Sequence, residues 1–535
     1  MRDLKNWVSI ARPIDRHAPP MYTANRQGCV TRPQNLECRP EIDNFLRHAP
    51  TPRLIRPSSH SLTMVSHSGG SRSMPAKIVS IVLLSIFLAT GCASDETVET
   101  PSSTPSPTDS PNLPNSQNSS ETTPSPTSVA KVISTAKLSP KAIAIQVSDL
   151  PEPYHTESAS NPPRVVPIPE NPVLNVPPGF QVNVFAENLE SPRWLALTPT
   201  GEVLVTETPE TRIRWLKDTD GDGVADETGI FADADDGLYI PFGMAFAGDS
   251  FYVGNTDAVI RFSYTEGQKE ISGEFEKIAD LPGQGYRQHW TRNVVVSPDG
   301  DKLYVSVGSR SNVSEEPLPR ASVMEMNLDG SNARVFASGL RNPVGLDFHP
   351  QTGELYTAVN ERDGLGDDLV PDYLTRIREG EFYGWPYAYL SPNFLDPRHT
   401  QANGESTNPD LAAQTQTPDV LFQSHSAALG LQFYDGETFP ERYRNGAFVA
   451  FRGSWNRDRG TGYKLVFVPF DESGRPLGTY EDFLTGFLLD PSVPTTWGRP
   501  VGVLVLPDGS LLFTEEANNR IYRIQYVGEA VSEVR

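Results

Sequence analysis

The chain has 535 residues with 49 prolines, 41 glycines and only 37% hydrophobic residues, a balance that speaks against a helical bundle and for a turn-rich β protein with polar extensions. The formal charge is −22, and the acid excess lies after residue 92, which excludes nucleic acid and anionic lipid as expected surface partners. The 3 cysteines are Cys29, Cys38 and Cys92, so the remainder of the chain has no disulfide framework, CxxC pair or thiolate metal site, and any metal there must use oxygen or imidazole ligands.

Residues 1–73 are basic, rich in Arg, His and Pro, and lack sustained periodicity. They read either as a start assigned too early, with Met74 or Met64 the true one, or as a disordered basic arm. Met74-Pro-Ala-Lys77 then leads into the apolar run IVSIVLLSIFLA and Thr90-Gly91-Cys92. That run is shorter than the roughly 20 residues of a membrane-spanning helix and has the pattern of a secretory signal. The cysteine after Ala-Thr-Gly resembles a bacterial lipobox, with Leu88 one place further back than usual. The resemblance implies that residues 74–92 are a lipoprotein signal, cut before an acylated Cys92. The protein is then expected in the periplasm or at the cell surface, touching the membrane only through its lipid anchor. Residues 93–170 are dominated by Ser, Thr, Pro, Asn and Glu, less extremely over 131–170, and are expected to form a disordered linker.

From about Leu174 short runs of β-branched and aromatic residues alternate with Gly, Asp, Asn and Pro. A turn–strand–strand theme recurs. VLVTE precedes RIRWLKD, FYVGN precedes VIRFSY, and KLYVSVGS precedes VMEMNLDG. ELYTAVNE then precedes YLTRI, GAFVAFRGSW precedes KLVFVPFD, and SLLFTEE precedes RIYRIQY. Asp-Gly and Thr-Gly before the first strand are tight-turn signals. Such small sheets bury their faces only against neighbours, and six of them predict an all-β, six-bladed β-propeller over residues 171–530. A β-sandwich would not require the recurrence.

Several clusters can carry chemistry. Gln288-His289-Trp290-Thr291-Arg292-Asn293 brings a histidine from a loop into a strand. A neutral imidazole there can take a proton from an alcohol, although a structural loop histidine has the same signature. In Gly339-Leu340-Arg341-Asn342-Pro343, the Arg fork suits carboxylate or quinone oxygens, or braces two blades. Asn360-Glu361-Arg362-Asp363-Gly364-Leu365-Gly366-Asp367-Asp368, followed by Tyr383-Gly384-Trp385-Pro386, offers the oxygens that Ca²⁺ accepts, as acidic surface loops also do. The loop with Asp218, Asp220, Asp222 and Asp226 begins like an EF-hand, but Gly229 stands where the bidentate acid belongs. It is a Ca²⁺ loop of another kind or a solvated hairpin. Arg452 and Arg499 flank strands and can point cations into a channel, while Trp455 and Trp497 read as blade packing. His425 sits in SHSAALG with no role assigned.

Taken in order, PPGFQVNVFAENLESPRWLAL, HWTRN…SPDG, GLRNPVGLDF, ERDGLGDD…YGWP, SHSAALGLQF, RGSWNR and GRPVGV…PDGSL resemble the pyrroloquinoline quinone (PQQ)-dependent glucose/sorbosone dehydrogenase family, the sorbosone-type branch most closely, over about residues 174–527. The resemblance implies PQQ and Ca²⁺ as cofactors, a sugar-like alcohol or hemiacetal as substrate, and a separate electron acceptor. It makes His289 the base that takes the hydroxyl proton while hydride passes to the quinone. Arg341 and Ca²⁺ would stabilise charge on the quinone oxygens. Gln288, Asn342, Arg452 and Arg499 become further cofactor contacts, and Asp363 and Gly364 the Ca²⁺ loop. Two supporting acids of the glucose-oxidising branch are replaced, by Ser309 and by Gln288, which puts the orientation of the base in question. The alternatives are a non-catalytic surface propeller that binds a glycan or protein, and a Ca²⁺-dependent propeller lactonase using Asn255, Asp257 and Asn360.

Overall fold

The computed structural model describes residues 131–271 and 273–528. The basic arm, the signal segment with Cys92, the linker up to residue 130 and residues 529–530 lie outside the described residues. Among the described residues, six four-stranded antiparallel blades form, one of them extended by two further strands. The innermost strands are Pro192–Leu197, Met244–Ala247, Val294–Val296, Pro343–Phe348, Ala428–Phe433 and Pro500–Val505, which number blades 1 to 6.

The recurring motifs supply the second and third strands of every blade. Second strands such as Val203–Glu207, Leu355–Val359, Ala447–Phe451 and Leu511–Glu515 are buried along their whole length. Both of their faces pack against neighbouring blades, so they read as continuous runs rather than as alternating ones. Outer strands such as Glu276–Asp280 are largely solvated, which is why their sequences are polar. The tight turns behave as their residues predict. Gly300 takes φ +77° in Ser297-Pro298-Asp299-Gly300, and its N–H donates to the Ser297 carbonyl at 2.8 Å.

Phe180–Ala186, from the N-terminal side, is the outermost strand of blade 6, antiparallel to Arg520–Tyr526 with Tyr526 opposite Phe180 and Ile524 opposite Val182. It closes the ring. Phe180 also meets Phe439, Phe483 and Tyr443 edge-on, with centroids 4.8, 5.1 and 5.4 Å away, between blades 5 and 6.

The folded part begins well before residue 171. Val132–Lys137 pairs with Phe180–Ala186 on one side and Val173–Val176 on the other, burying Ile133. The chain then crosses the rim of the propeller. The Tyr154 N–H donates to the Leu365 carbonyl at 2.8 Å, Thr156 Oγ1 accepts from Asp367 N at 2.8 Å, and Ser158 Oγ accepts from Gly366 N at 3.0 Å. Arg164–Val165 pairs in parallel with Thr495–Thr496. Residues 131–170 are therefore a strap and not a disordered linker. Its polar composition hides this because the apolar anchors that pack on the propeller, among them Ile133, Ile143, Ile145, Leu150 and Ile168, are scattered singly among Ser, Thr and Pro, and the rest of the docking is by hydrogen bonds.

In each blade the turns between strands one and two, and three and four, fall at one end. Those between two and three, and from four to the next blade, fall at the other end, here the upper face. Near the axis Trp194, Phe242, Val344, Leu429 and Val501 form one apolar cluster with Trp290 against it, one residue from each blade or its approach. This plug separates the upper face from a lower cavity lined by residues such as Met244, Leu346, Asp347 and Leu504.

Ile133→Ala should cost about 2–4 kcal/mol in urea unfolding of residues 131–535. A loss below about 0.5 kcal/mol, the size of a neutral surface change, would show that the strap's first strand is not docked.

Candidate functional site

A pocket opens on the upper face over blades 3, 4 and 5. His289, Arg341, Asn342 and His425 reach it from the connections between blades. Asn360, Glu361, Asp363 and Asp372 reach it from the loop between strands two and three of blade 4. Arg452, Gly453 and Trp455 come from the equivalent loop of blade 5. Loops at one end of a rigid scaffold thus bring distant positions together.

His289 is fixed by the backbone of Ser309. Its N–H meets the Ser309 carbonyl at 3.1 Å, and its ring Nδ1 meets the same oxygen at 2.9 Å. A carbonyl can only accept, so Nδ1 carries the proton and Nε2 keeps its lone pair. Ser309 Oγ lies 3.0 Å from Nδ1 and donates to the Ser311 carbonyl at 2.6 Å. Burial, and then the Arg341 guanidinium, push the imidazole pKa down to about 3. The ring is a neutral acceptor over the whole physiological range.

Arg341 Nη2 pairs with Asp363 Oδ2 at 3.0 Å and with Asn312 Oδ1 at 2.9 Å. The other Asp363 carboxylate oxygen faces His425 Nδ1 at 3.5 Å, and His425 Nε2 donates to the Gly366 carbonyl at 3.0 Å. Burial works against ionising Asp363, but the His425 hydrogen bond and Arg341 outweigh it and hold its pKa low. Burial would likewise lower His425, but its bonds to Asp363 and the Gly366 carbonyl raise it. The Asp363 carbonyl accepts twice, from Asn312 Nδ2 and from Arg398 Nη1, both at 2.8 Å. Asp372, buried without a paired cation, is pushed up to about 7, while its oxygens accept from Glu361 N and Ala427 N, each at 2.8 Å.

On the far side of the pocket Arg452 and Arg193 both pair with Glu516, and Arg499 approaches it at 3.9 Å. Three guanidiniums share one carboxylate. Burial opposes ionisation of Glu516, but Arg193, Arg452 and Arg499 outweigh it and bring its pKa to about 2. Arg193 also lies over the Trp290 ring at 5.1 Å. Two buried oxygens of pocket residues, Asn342 Oδ1 and Glu361 Oε1, have no protein donor. The pocket therefore combines a neutral base, cationic walls and, in half-exposed Trp455, an aromatic face.

The TrAA12-like family matches this sequence over residues 174–527. The chain belongs to the TrAA12-like family. An uncharacterized protein of Borreliella burgdorferi is 31% identical over 371 residues, which cover 66% of this chain and 91% of that one. A pyrroloquinoline quinone-dependent pyranose dehydrogenase of Coprinopsis cinerea is 23% identical over 402 residues, covering 64% of this chain and 53% of the relative, about half its length. The solved structure of a Trichoderma reesei carbohydrate-active enzyme of family AA12 shares the fold, with a TM-score of 0.57 at 20% identity over 69% of this chain and 100% of that one. The motif-based recognition of a PQQ-dependent sugar dehydrogenase relative stands. The sorbosone-type branch is not singled out.

Within this TrAA12-like propeller, His289, Arg341, Asn342, Asp363 and Arg452 meet in the pocket. Gln288 does not line it; its Nε2 donates to Thr256 Oγ1 at 3.2 Å and the Gly285 carbonyl at 3.3 Å. Arg499 lies behind Arg452, donating to the Arg452 and Gly453 carbonyls at 3.4 and 3.5 Å, and burial lowers its pKa to about 10. The Gly364 N–H donates to Asn456 Oδ1 at 3.0 Å. Asp218, Asp220 and Asp222 do converge, with Asp226 accepting from Thr219. Their loop joins strands three and four of blade 1 and so lies on the opposite face from the pocket. Asn255 is engaged with Gly237 O and Tyr239 N and does not join Asn360. Trp455 is 49% exposed and lines the pocket, whereas packing had been expected; Trp497 is buried against Phe487. Glu361 and His425 stood in quoted motifs without a role, whereas Asp372 and Glu516 gain their place only from the fold, with no local motif to mark them.

Nitrogen NMR of the apo protein should show the His289 ring neutral, as the Nδ1–H tautomer, from pH 8 down to about pH 4. Its folded pKa lies below the unfolded value of about 6.5. The unfolded state therefore binds the proton first, and this group's stability contribution falls as pH drops from about 6.5 toward 3. A ring that titrates near pH 6.5 would contradict the geometry.

Proposed function

We propose that the chain oxidises a sugar-like alcohol or hemiacetal, with pyrroloquinoline quinone held in the upper pocket as hydride acceptor. The observation that carries this reading is the neutral His289 imidazole, locked in one tautomer beside Arg341 and Arg452. The PQQ-dependent pyranose dehydrogenase relative supports it.

The donor set fits a flat polycarboxylate quinone. The Arg452 and Arg341 guanidiniums, held in place by Glu516 and by Asp363 and Asn312, bring positive charge for its carboxylate and carbonyl oxygens, Trp455 offers a stacking face, and buried Asn342 Oδ1 is unpartnered. The set does not fit calcium at Asp363 and Gly364. One Asp363 carboxylate oxygen is paired with Arg341, the other faces His425, and its carbonyl has two donors.

The quinone would supply the electrophilic carbon that receives hydride. His289 Nε2 takes the substrate hydroxyl proton as the carbon–hydrogen bond breaks. The Ser309 carbonyl steadies the imidazolium that results, through Nδ1–H. Arg341 stabilises negative charge that develops beside it. The plug below keeps the reaction on the upper face. Reoxidation falls to a separate electron acceptor. The lipobox-like Cys92 supports tethering at a membrane surface.

His289→Ala should lower kcat with a redox dye and an aldose by about 10²–10⁴-fold while quinone affinity changes little. Arg452→Ala should weaken quinone binding by about 10–100-fold, the loss of a charged hydrogen bond. Absence of quinone binding at micromolar concentration would refute the reading.

A further inference from the structure

The peptide between Asp363 and Gly364 is already in cationic hands. Arg398 Nη1 donates to the Asp363 carbonyl at 2.8 Å, and Asn312 Nδ2 uses the other side of the same oxygen at 2.8 Å. A carbonyl oxygen has two lone pairs, so both are engaged. A Cβ built on Gly364 would lie 3.3 Å from Arg398 Nη1, which places the guanidinium directly over this peptide. Arg341 holds Asp363 Oδ2 from the pocket side.

Arg398 is not a loose surface side chain. Its Nε and Nη2 donate to Asp396 Oδ1 and Oδ2, both at 2.8 Å, and its backbone N–H donates to the same carboxylate at 2.9 Å. Asp396 is fully buried and also pairs with Arg362 Nη1 at 3.1 Å. The bidentate geometry fixes the plane of the guanidinium, leaving Nη1 aimed at the Asp363 carbonyl. The segment that carries Arg398 departs from blade 4 between Tyr373–Arg376 and Val420–Leu421. It is tied to the site again where Trp385 Nε1 donates to the Asn312 carbonyl at 2.8 Å.

A calcium ion needs 6–8 oxygens at about 2.3–2.6 Å. Here it would have to displace Arg398 and Asn312 from the Asp363 carbonyl and then sit beside two guanidiniums. We propose that Arg398 takes the place of calcium at the Asp363–Gly364 peptide, so that this protein binds its quinone without calcium. The proposal rests on the quinone reading above for its second half only; the occupation of the peptide by Arg398 is independent of it.

The test uses residues 131–535, stripped of metal with EGTA. Quinone is titrated by tryptophan fluorescence with EGTA and then with added calcium. The two dissociation constants should agree within about threefold. Arg398→Met, which keeps a long stem and removes the charge, should make quinone affinity calcium-dependent, while Arg398→Lys should remain independent. In parallel, calcium is titrated by calorimetry without quinone in an Asp218→Asn/Asp220→Asn background, which removes the lower-face carboxylates. No calcium should bind with Arg398 present, and a site should appear with Arg398→Met. Quinone affinity that collapses in EGTA and returns with calcium in the unaltered protein overturns the proposal. So does calcium binding in the Asp218→Asn/Asp220→Asn background that Asp363→Asn weakens, whether or not quinone binds. Failure of quinone to bind under every condition, with no calcium bound either, removes the quinone reading and leaves Arg398 in its place. Should Arg398→Met fail to fold, the EGTA titration of the unaltered protein decides the matter.

Discussion

The pairing of Phe180–Ala186 with Arg520–Tyr526 is the constraint on which the remaining architecture depends. Without it blade 6 would end in an unpaired edge, and blade 1 would have no closed ring to complete. The axial plug takes one contribution from each blade or its approach, so it forms only when all six stand in a ring. Bringing together strands from opposite ends of the folded chain costs loop-closure entropy, but that cost grows slowly with length. The aromatic cluster around Phe180 supplies an offset at the seam itself. The strap then adds a strand beyond Phe180–Ala186, covering the edge that closure leaves outermost.

The site rests on a second layer of buried charge. Arg362 is fully buried between Glu361 and Asp396 and also donates to the carbonyls of Pro386 and Ala388. One guanidinium thus fastens the pocket loop of blade 4 to the segment that carries Arg398. Such networks contribute little net stability, because desolvation offsets attraction, but losing one partner strands the others. With Arg398 also on Asp396, that network balances two guanidiniums against two carboxylates, and the arrangement around Glu516 does not balance. Three cations around one anion leave an unbalanced positive charge beside the pocket, an arrangement that favours an anionic ligand.

The repeat was legible because the second and third strands carry the densest apolar patterns, in chain order. Outer strands such as Glu276–Asp280 are polar and did not announce themselves. Ring closure was hidden, because the sequence shows a strand at Phe180 but not its distant partner. The strap was misjudged because its apolar anchors are scattered singly through a Ser, Thr and Pro-rich stretch and show no strand or helix period. At the site, His289, Arg341, Asn342 and Arg452 stood in readable motifs and do meet in space. Arg398, Asn312 and Glu516 could not be found that way, since each acts through neighbours remote in the chain. Trp455 was taken for packing because an aromatic residue after a strand usually packs; here it sits on the pocket's rim.

Ser309 stands where an acid was anticipated, yet the group that steadies His289 there is largely its main-chain carbonyl. Any amino acid brings that oxygen with it. Codon drift at position 309 is then limited by room, since the residue is fully buried, and by the hydroxyl's bond to the Ser311 carbonyl, rather than by a need for an acid. The orientation of the base is inherited with the course of the backbone. A lineage could exchange small residues at this position and keep its proton acceptor, whereas a shift of the loop between the second and third strands of blade 3 would forfeit it at once.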